Sequence, residues 1–214
     1  MIRTHSFSAA GGHPTNEDAF ALHPLPNRDG RVAALADGQG GRAGGKRAAQ
    51  LACEAAGRYA AALAADRPLD GTLWTEILAA ADTAVTADPD AGFTTLVGLS
   101  VEGDSVAGAS CGDSAAVAVC AARAPKVLTS RQFKNPPVGS GAADFVPFEL
   151  KLDAPWRLLV MSDGVWKYAS WDRVWDCAAQ LAGEELIEEL KAAARLPLTG
   201  EFPDDFTVVL VESE

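Results

Sequence analysis

Strand-like and helix-like runs do not alternate regularly along this chain, and that order restricts its fold more than any other feature. Residues 2–10 and 17–24 read as short strands around a Gly-Gly-x-Pro turn, and 31–36 as a third, largely apolar one. From Lys46 apolar residues recur at three- and four-residue steps (Ala48, Leu51, Ala52, Ala55, Tyr59, Ala62, Leu63), which predicts a helix broken at Asp66-Arg67-Pro68. A second helix opens at Asp70-Gly71-Thr72, carries Leu73, Ile77, Leu78, Ala81 and Val85 on its apolar face, and ends near Asp88-Pro89. Strands return at 94–101, 105–110 and 115–121, the first two joined by a hairpin turn at Glu102-Gly103-Asp104. Residues 129–150 read as irregular and rich in Pro, Gly and Phe. An apolar strand at 156–161, helices at about 170–181 and 183–195, and a strand at 206–211 complete the chain. Strands, two helices, strands, helices and one strand argue for an α+β fold with antiparallel sheets rather than a doubly wound parallel sheet. No repeat or linker divides the chain, so one domain over 1–214 is expected.

Charge narrows the partners. With 18 Lys and Arg against 29 Asp and Glu, the net charge is −11, which disfavours nucleic acid, whose phosphates need clustered cations. No apolar run reaches the ~18 residues of a membrane span. The N-terminal residues lack a basic segment followed by an apolar one, so no signal peptide and a cytoplasmic location are expected. Cys53, Cys111, Cys120 and Cys177 form no C-x-x-C pair, and His5, His13 and His23 make no zinc pattern. Reduced, buried thiols follow.

The informative residues are acids at the ends of apolar strands. Asp37, Asp163 and Asp204 each lie at such a boundary, the first two followed by Gly, and Glu17-Asp18 lies between the first two strands. Strand ends hold side chains in fixed relative positions. Spacing alone leaves two readings open: independent Asp-Gly turns, or one shared site. If the acids converge, their mutual repulsion needs counter-charge, and oxygen-only ligands select magnesium or manganese over zinc. A pair of such ions activates water and clamps phosphoryl oxygens, the chemistry of a phosphate monoester hydrolase.

Six segments in order then become recognisable: Asn16-Glu17-Asp18-Ala19, Ala36-Asp37-Gly38-Gln39-Gly40-Gly41, Thr94-Thr95-Leu96, Cys111-Gly112-Asp113-Ser114, Met161-Ser162-Asp163-Gly164 and Asp204-Asp205-Phe206-Thr207-Val208. From about residue 11 to 211 the chain resembles the metal-dependent protein phosphatases of type 2C, the PPM family, in a short bacterial form. The resemblance implies a four-layer α-β-β-α sandwich of two antiparallel sheets flanked by helix pairs. It also implies hydrolysis of phosphoserine and phosphothreonine in proteins by water bridging two manganese or magnesium ions. By position, Asp37 resembles the carboxylate that bridges both ions, and the Gly38 carbonyl a ligand of the second. Asp163 and Asp204 resemble ligands of the first ion. Glu17 and Asp18 resemble acids acting through metal-bound water. Asp113, with Asp163, matches a position that can hold a weaker third ion. A phosphorylated protein substrate and an opposing Ser/Thr kinase are the implied partners.

The chain also departs from that pattern. Many relatives carry a phosphate-gripping Arg where this sequence has His13, and an imidazole lacks the bidentate charged contact of a guanidinium. Gln39 stands where some relatives have a His proposed as general acid, and an amide cannot serve as one, so leaving-group protonation is expected to fall to water on a metal. Ala115 follows Gly-Asp-Ser where the family has Arg, and Phe93 precedes Thr94-Thr95 where it has Gly. Only 49 residues separate Asp113 from Asp163, so the flap beside the cleft is expected to be shortened to a remnant around 130–150. Two rival readings follow. Gly38-x-Gly40-x-x-Ala43 fits a dinucleotide fingerprint, but Asp37 would repel pyrophosphate and no second β-α-β unit follows. A catalytically weak or inactive phosphatase fold acting as a binding module fits the changes at His13, Gln39 and Ala115. Trp166, Trp171 and Trp175 are expected to pack under the helices after Ser162-Asp163-Gly164, and Glu184, Glu185, Glu188 and Glu189 to form a solvated helix start.

Overall fold

The computed structural model describes residues 1–26, 28–40, 43–121 and 123–213; Gly41, the last residue of the glycine-rich segment, lies outside them. Its strands are β1 (Ile2–Ala9), β2 (Asp18–Pro24), β3 (Gly30–Asp37), β4 (Leu96–Glu102), β5 (Ser105–Cys111), β6 (Ala115–Cys120), β7 (Arg123–Val127), β8 (Val146–Lys151), β9 (Trp156–Met161) and β10 (Phe206–Ser213). Its helices are α1 (Gly45–Ala64), α2 (Gly71–Thr86), α3 (Asp163–Ala169), α4 (Trp171–Gln180) and α5 (Gly183–Ala194).

Two five-stranded antiparallel sheets form, in the orders β1-β10-β9-β6-β7 and β2-β3-β4-β5-β8. Near-continuous apolar strands such as β3 and β9 need cover on both faces, and the layers supply it. Between the sheets, Ala33, Leu35, Val97 and Leu99 meet Ala116, Leu158, Val160 and Val209. Outside one sheet lie α1 and α2, outside the other α3 to α5, giving the four-layer α-β-β-α sandwich.

Small residues set the close approach of the first helix pair. The buried face of α1 is almost wholly alanine (Ala48, Ala49, Ala52, Ala56, Ala60), so its backbone can lie near β2 and β3. On β4, a Cβ at Gly98 would come within 2.5 Å of the Trp74 ring, so glycine opens the slot into which α2 inserts its indole. The Trp74 Nε1–H donates to Ser100 Oγ at 3.0 Å, satisfying the buried polar atom. Asp70 caps α2, accepting from the Leu73 N–H at 2.8 Å.

Three elements differ from the sequence expectations. The sequence reading has no counterpart of β7 or β8, and all of β8 but Lys151 falls in the stretch 129–150 that reads as irregular. Both are edge strands, where Pro125 and Pro147 are tolerated because one row of N–H groups has no partner to lose. α3 is the third: the Ser162-Asp163-Gly164 segment is no simple turn but enters a seven-residue helix that starts on Asp163. The three tryptophans form a stacked ladder, with centroids 5.4 and 5.1 Å apart, half-buried against the α3–α5 core. All four cysteines are buried and free. Burial pushes the Cys111 thiol up to about 11 and Cys53 higher still, so neither of these two supplies a thiolate.

Candidate active site

Strand register assembles the acids. β2 begins at Asp18 and β3 ends at Asp37, and the antiparallel pairing places them directly opposite each other. Beyond Asp37 the chain must pass under Glu17 and α1. A Cβ at Gly38 would lie 2.5 Å from the Gly45 carbonyl and 2.8 Å from that of Glu17, so only glycine fits. Thr94 and Thr95 clamp the backbone of Asp37: its N–H donates to Thr95 Oγ1 at 3.0 Å, and its carbonyl accepts from Thr95 N at 2.9 Å and Thr94 Oγ1 at 2.8 Å. The Thr-Thr pair, a motif without a role in the sequence, therefore fixes the backbone that carries the central carboxylate.

In the second sheet β9 and β10 are neighbours, so the segment after one and the segment before the other meet. Ser162 N–H donates to the Thr207 carbonyl at 3.0 Å, and Thr207 N–H donates back to Ser162 Oγ at 3.0 Å. A Cβ at Gly164 would sit 2.0 Å from the Asp205 carbonyl oxygen, so the glycine after Asp163 allows the two segments to touch. Asp163 and Asp204 are thereby brought to one side of a cleft. Asp113, between β5 and β6, reaches the same cleft, and its carbonyl accepts from Trp166 Nε1 at 3.2 Å.

The cleft encloses about 320 Å³ and is lined by Asp37, Gly38, Asp113, Asp163, Asp204 and His13 among others. Two of the acids expected in it stand back from its wall. Asp18 is buried beneath, and Glu17 reaches toward Gly40, its Oε2 3.6 Å from where a Cβ would project. His13 is partly exposed, with Nε2 3.8 Å from Asp205 Oδ2. Asp205, a motif member with no role legible in the sequence, has one in the fold. It accepts from the N–H of Gly11 at 2.9 Å and of Glu17 at 2.6 Å, and so ties the His13 loop and the Glu17-Asp18 entry to β10. The signal was the doubled acid Asp204-Asp205: one faces the cleft, the other holds the N-terminal loop.

Electrostatics mark the cleft as short of positive charge. Burial, followed by the charges of Asp18, Asp163, Asp113 and Asp204, pushes the Asp37 carboxyl up to about 9. Burial pushes Asp18 up to about 7; the Thr207 and Ser162 hydroxyls soften this, while Asp205 and Asp163 add to it. Those hydroxyls lie near but outside hydrogen-bond geometry, so neither oxygen of Asp18 has a donor. Two lysines answer part of the deficit: Lys134 Nζ contacts Asp113 Oδ2 and Lys167 Nζ contacts Asp163 Oδ2. Asp163 is still raised, by burial first, with Lys167 offsetting part. Among the described residues no three His, Cys, Asp or Glu side chains already stand at metal-ligand spacing. The donor set nevertheless suits a hard divalent cation: every donor is oxygen, and the orphaned Asp18 and raised Asp37 lack the positive partner that buried carboxylates require.

A family model described as Protein phosphatase 2C matches residues 9–194. No curated protein matches this chain by sequence. Among solved structures, a bacterial serine phosphatase carrying a point substitution is 20% identical and covers 100% of this chain and 99% of its own, with a TM-score of 0.82. The Mycobacterium tuberculosis serine/threonine phosphatase PstP/Ppp is 22% identical over 100% of this chain and 99% of its own, with a TM-score of 0.77. The catalytic domain of PstP in complex with two manganese ions is 21% identical over 99% and 97%, with a TM-score of 0.76. At these identities the likeness establishes the shared sandwich, and the family match rests on the sequence.

Proposed function

We propose that this chain, which belongs to the protein phosphatase 2C family, hydrolyses phosphoserine and phosphothreonine in proteins with two manganese or magnesium ions. The observation that carries the reading is the set of carboxylates from four separate segments that share one cleft with too little positive charge. In this reading the whole chain is one phosphatase domain. Asp37 would hold both ions, the Gly38 carbonyl the second, and Asp163 and Asp204 the first, while Glu17 and Asp18 act one layer further out. The PstP catalytic domain, of the same fold, was solved with two manganese ions, which supports the count. Bound there, such ions lower the pKa of water to about neutral and stabilise developing charge on the phosphoryl oxygens.

The chain's own groups do the rest. The Thr94-Thr95 clamp holds the Asp37 backbone at the cleft wall, so its position is set before substrate arrives. His13, held near Asp205, can donate one hydrogen bond to a substrate phosphate at the rim. Gln39 lines the cleft beside Asp37 and cannot release a proton, so the serine or threonine leaving group takes its proton from solvent. The loop between β7 and β8 supplies Lys134 and Asn135 to one wall, the remnant of a flap around 130–150. Its inner end is tied to α2 by Asp82, whose buried carboxylate accepts from the N–H of Gly139 at 2.5 Å and Gly141 at 3.4 Å. Among the described residues no helix is long and apolar enough to cross a membrane, and a cytoplasmic site of action opposite a Ser/Thr kinase completes the proposal.

Hydrolysis of p-nitrophenyl phosphate and of a phosphothreonine peptide, measured against manganese concentration, tests it. Saturable activity that vanishes with excess chelator is expected. The lysines on Asp113 and Asp163 favour a second reading, a metal-poor binding module. A folded protein with no manganese-dependent turnover of either substrate would establish that reading instead.

A further inference from the structure

On the side of the cleft formed by Asp113 and Asp163, each carboxylate contacts a lysine. On α3, Lys167 follows Asp163 by four residues, the spacing that stacks two side chains on one helix face, and its Nζ contacts Asp163 Oδ2. Lys134 comes from a distant loop, yet the two residues before it are anchored. Gly112 N–H donates to the Phe133 carbonyl at 2.8 Å, and the Gln132 side-chain amide donates to the Ser114 carbonyl at 2.7 Å. The two residues before Lys134 are thus bonded to the residues on either side of Asp113, and its Nζ contacts Asp113 Oδ2. Helix spacing places Lys167 beside Asp163, and the anchored residues before Lys134 place it beside Asp113.

We propose that Lys134 and Lys167 are the resident cations of the Asp113–Asp163 side of the cleft, where they replace the weak third divalent ion expected there, so that the chain loads two ions and no more. A third ion would have to displace both lysines and then sit beside two freed ammonium groups. A tethered ammonium competes at a high effective concentration, which a weakly held ion cannot match. Asp163 keeps Oδ1 free of Lys167, so it can still serve an ion on the Asp37–Asp204 side. Lys134 stays largely exposed, 68% of its side chain open at the cleft wall, so this charge remains in the cleft whatever the supply of metal.

This inference rests on the two-ion reading above, and a count of ions separates the two. Manganese bound per chain is measured by equilibrium dialysis with elemental analysis, for the wild type, for Lys134→Met and Lys167→Met, for both together, and for the double variant carrying Asp113→Asn. Methionine keeps the length and apolar stem of each lysine, and melting curves verify folding. The wild type is expected to saturate at two ions through the millimolar range. The double variant is expected to take a third, at least about tenfold tighter than any third ion on the wild type, and Asp113→Asn to remove it, with each single variant in between. A wild type that binds three ions, or a double variant that gains none, overturns the lysine proposal and leaves the phosphatase reading standing. A wild type that binds none overturns both.

Discussion

Asp37→Asn is expected to abolish metal-dependent hydrolysis, by about 1000-fold or more, and at the same time to make the metal-free protein more stable. The activity loss follows from the position of Asp37 at the end of β3, facing Asp163, Asp113 and Asp204 across the cleft: it is the one carboxylate with acidic neighbours from every other segment. A 1000-fold loss corresponds to about 4 kcal/mol of transition-state stabilisation. The stability gain follows from the same crowding. In the folded protein this carboxyl is pushed up to about 9 from an ordinary 3.8, so at neutral pH folding must either hold a proton there or confine a charge among like charges. Asparagine has neither cost and keeps the shape, and a gain on the order of 1 kcal/mol is expected at pH 8. A residue that merely supported the fold would show the opposite sign, so melting curves of metal-free wild type and variant, beside their turnover, separate the two roles.

The second large effect is a stability that falls as pH rises when metal is absent. Asp18 and Asp37 both have folded pKa values above the unfolded 3.8, about 7 and about 9. Between those limits the folded chain binds more protons than the unfolded one, so the derivative of stability with pH is negative. The contribution is fully present below about pH 4 and is lost as pH rises through 7 for Asp18 and through 9 for Asp37. Each group contributes at most about 1.4 kcal/mol per pH unit within its window. Chelator-treated protein should therefore melt at lower temperature at pH 9 than at pH 6. Manganese supplies the charge that protons supplied, so saturating metal should flatten this slope, and manganese affinity should strengthen with pH while protons are released. A metal-free melting temperature that climbs from pH 6 to 9 would contradict the crowding of these two acids.

The sandwich was readable because its central strands are continuous apolar runs and α1 carries an unbroken helical period. The elements that escaped are those whose residues look wrong for their type. β7 reads Arg-Ala-Pro-Lys-Val, with no alternation and a proline, and only its place at a sheet edge explains it. β8 has Pro147 for the same reason. α3 escaped because Asp163-Gly164 has the composition of a turn, and its helix is held by packing on the sheet rather than by propensity.

For the site, the acids at strand ends were legible because each interrupts an apolar run. What holds them was not. Asp205 looks like a duplicate of Asp204 until the fold brings Gly11 and Glu17 to it across 188 or more residues of sequence. Asp82 lies in the middle of α2 like any helix-surface acid, yet it is buried under Gly139 and Gly141. Lys167 would have been found four residues after Asp163 had α3 been recognised, whereas no local pattern ties Lys134 to Asp113, 21 residues away.

Every role assigned above depends on acids from remote parts of the sequence drawing divalent ions into one cleft. Anomalous scattering at the manganese edge, from crystals grown with manganese, tests that most directly. Two peaks are expected, both beside Asp37, with Asp163 and Asp204 at ligand distance from one and the Gly38 carbonyl from the other. Crystals of well-folded protein with no peak near Asp37 would contradict the account.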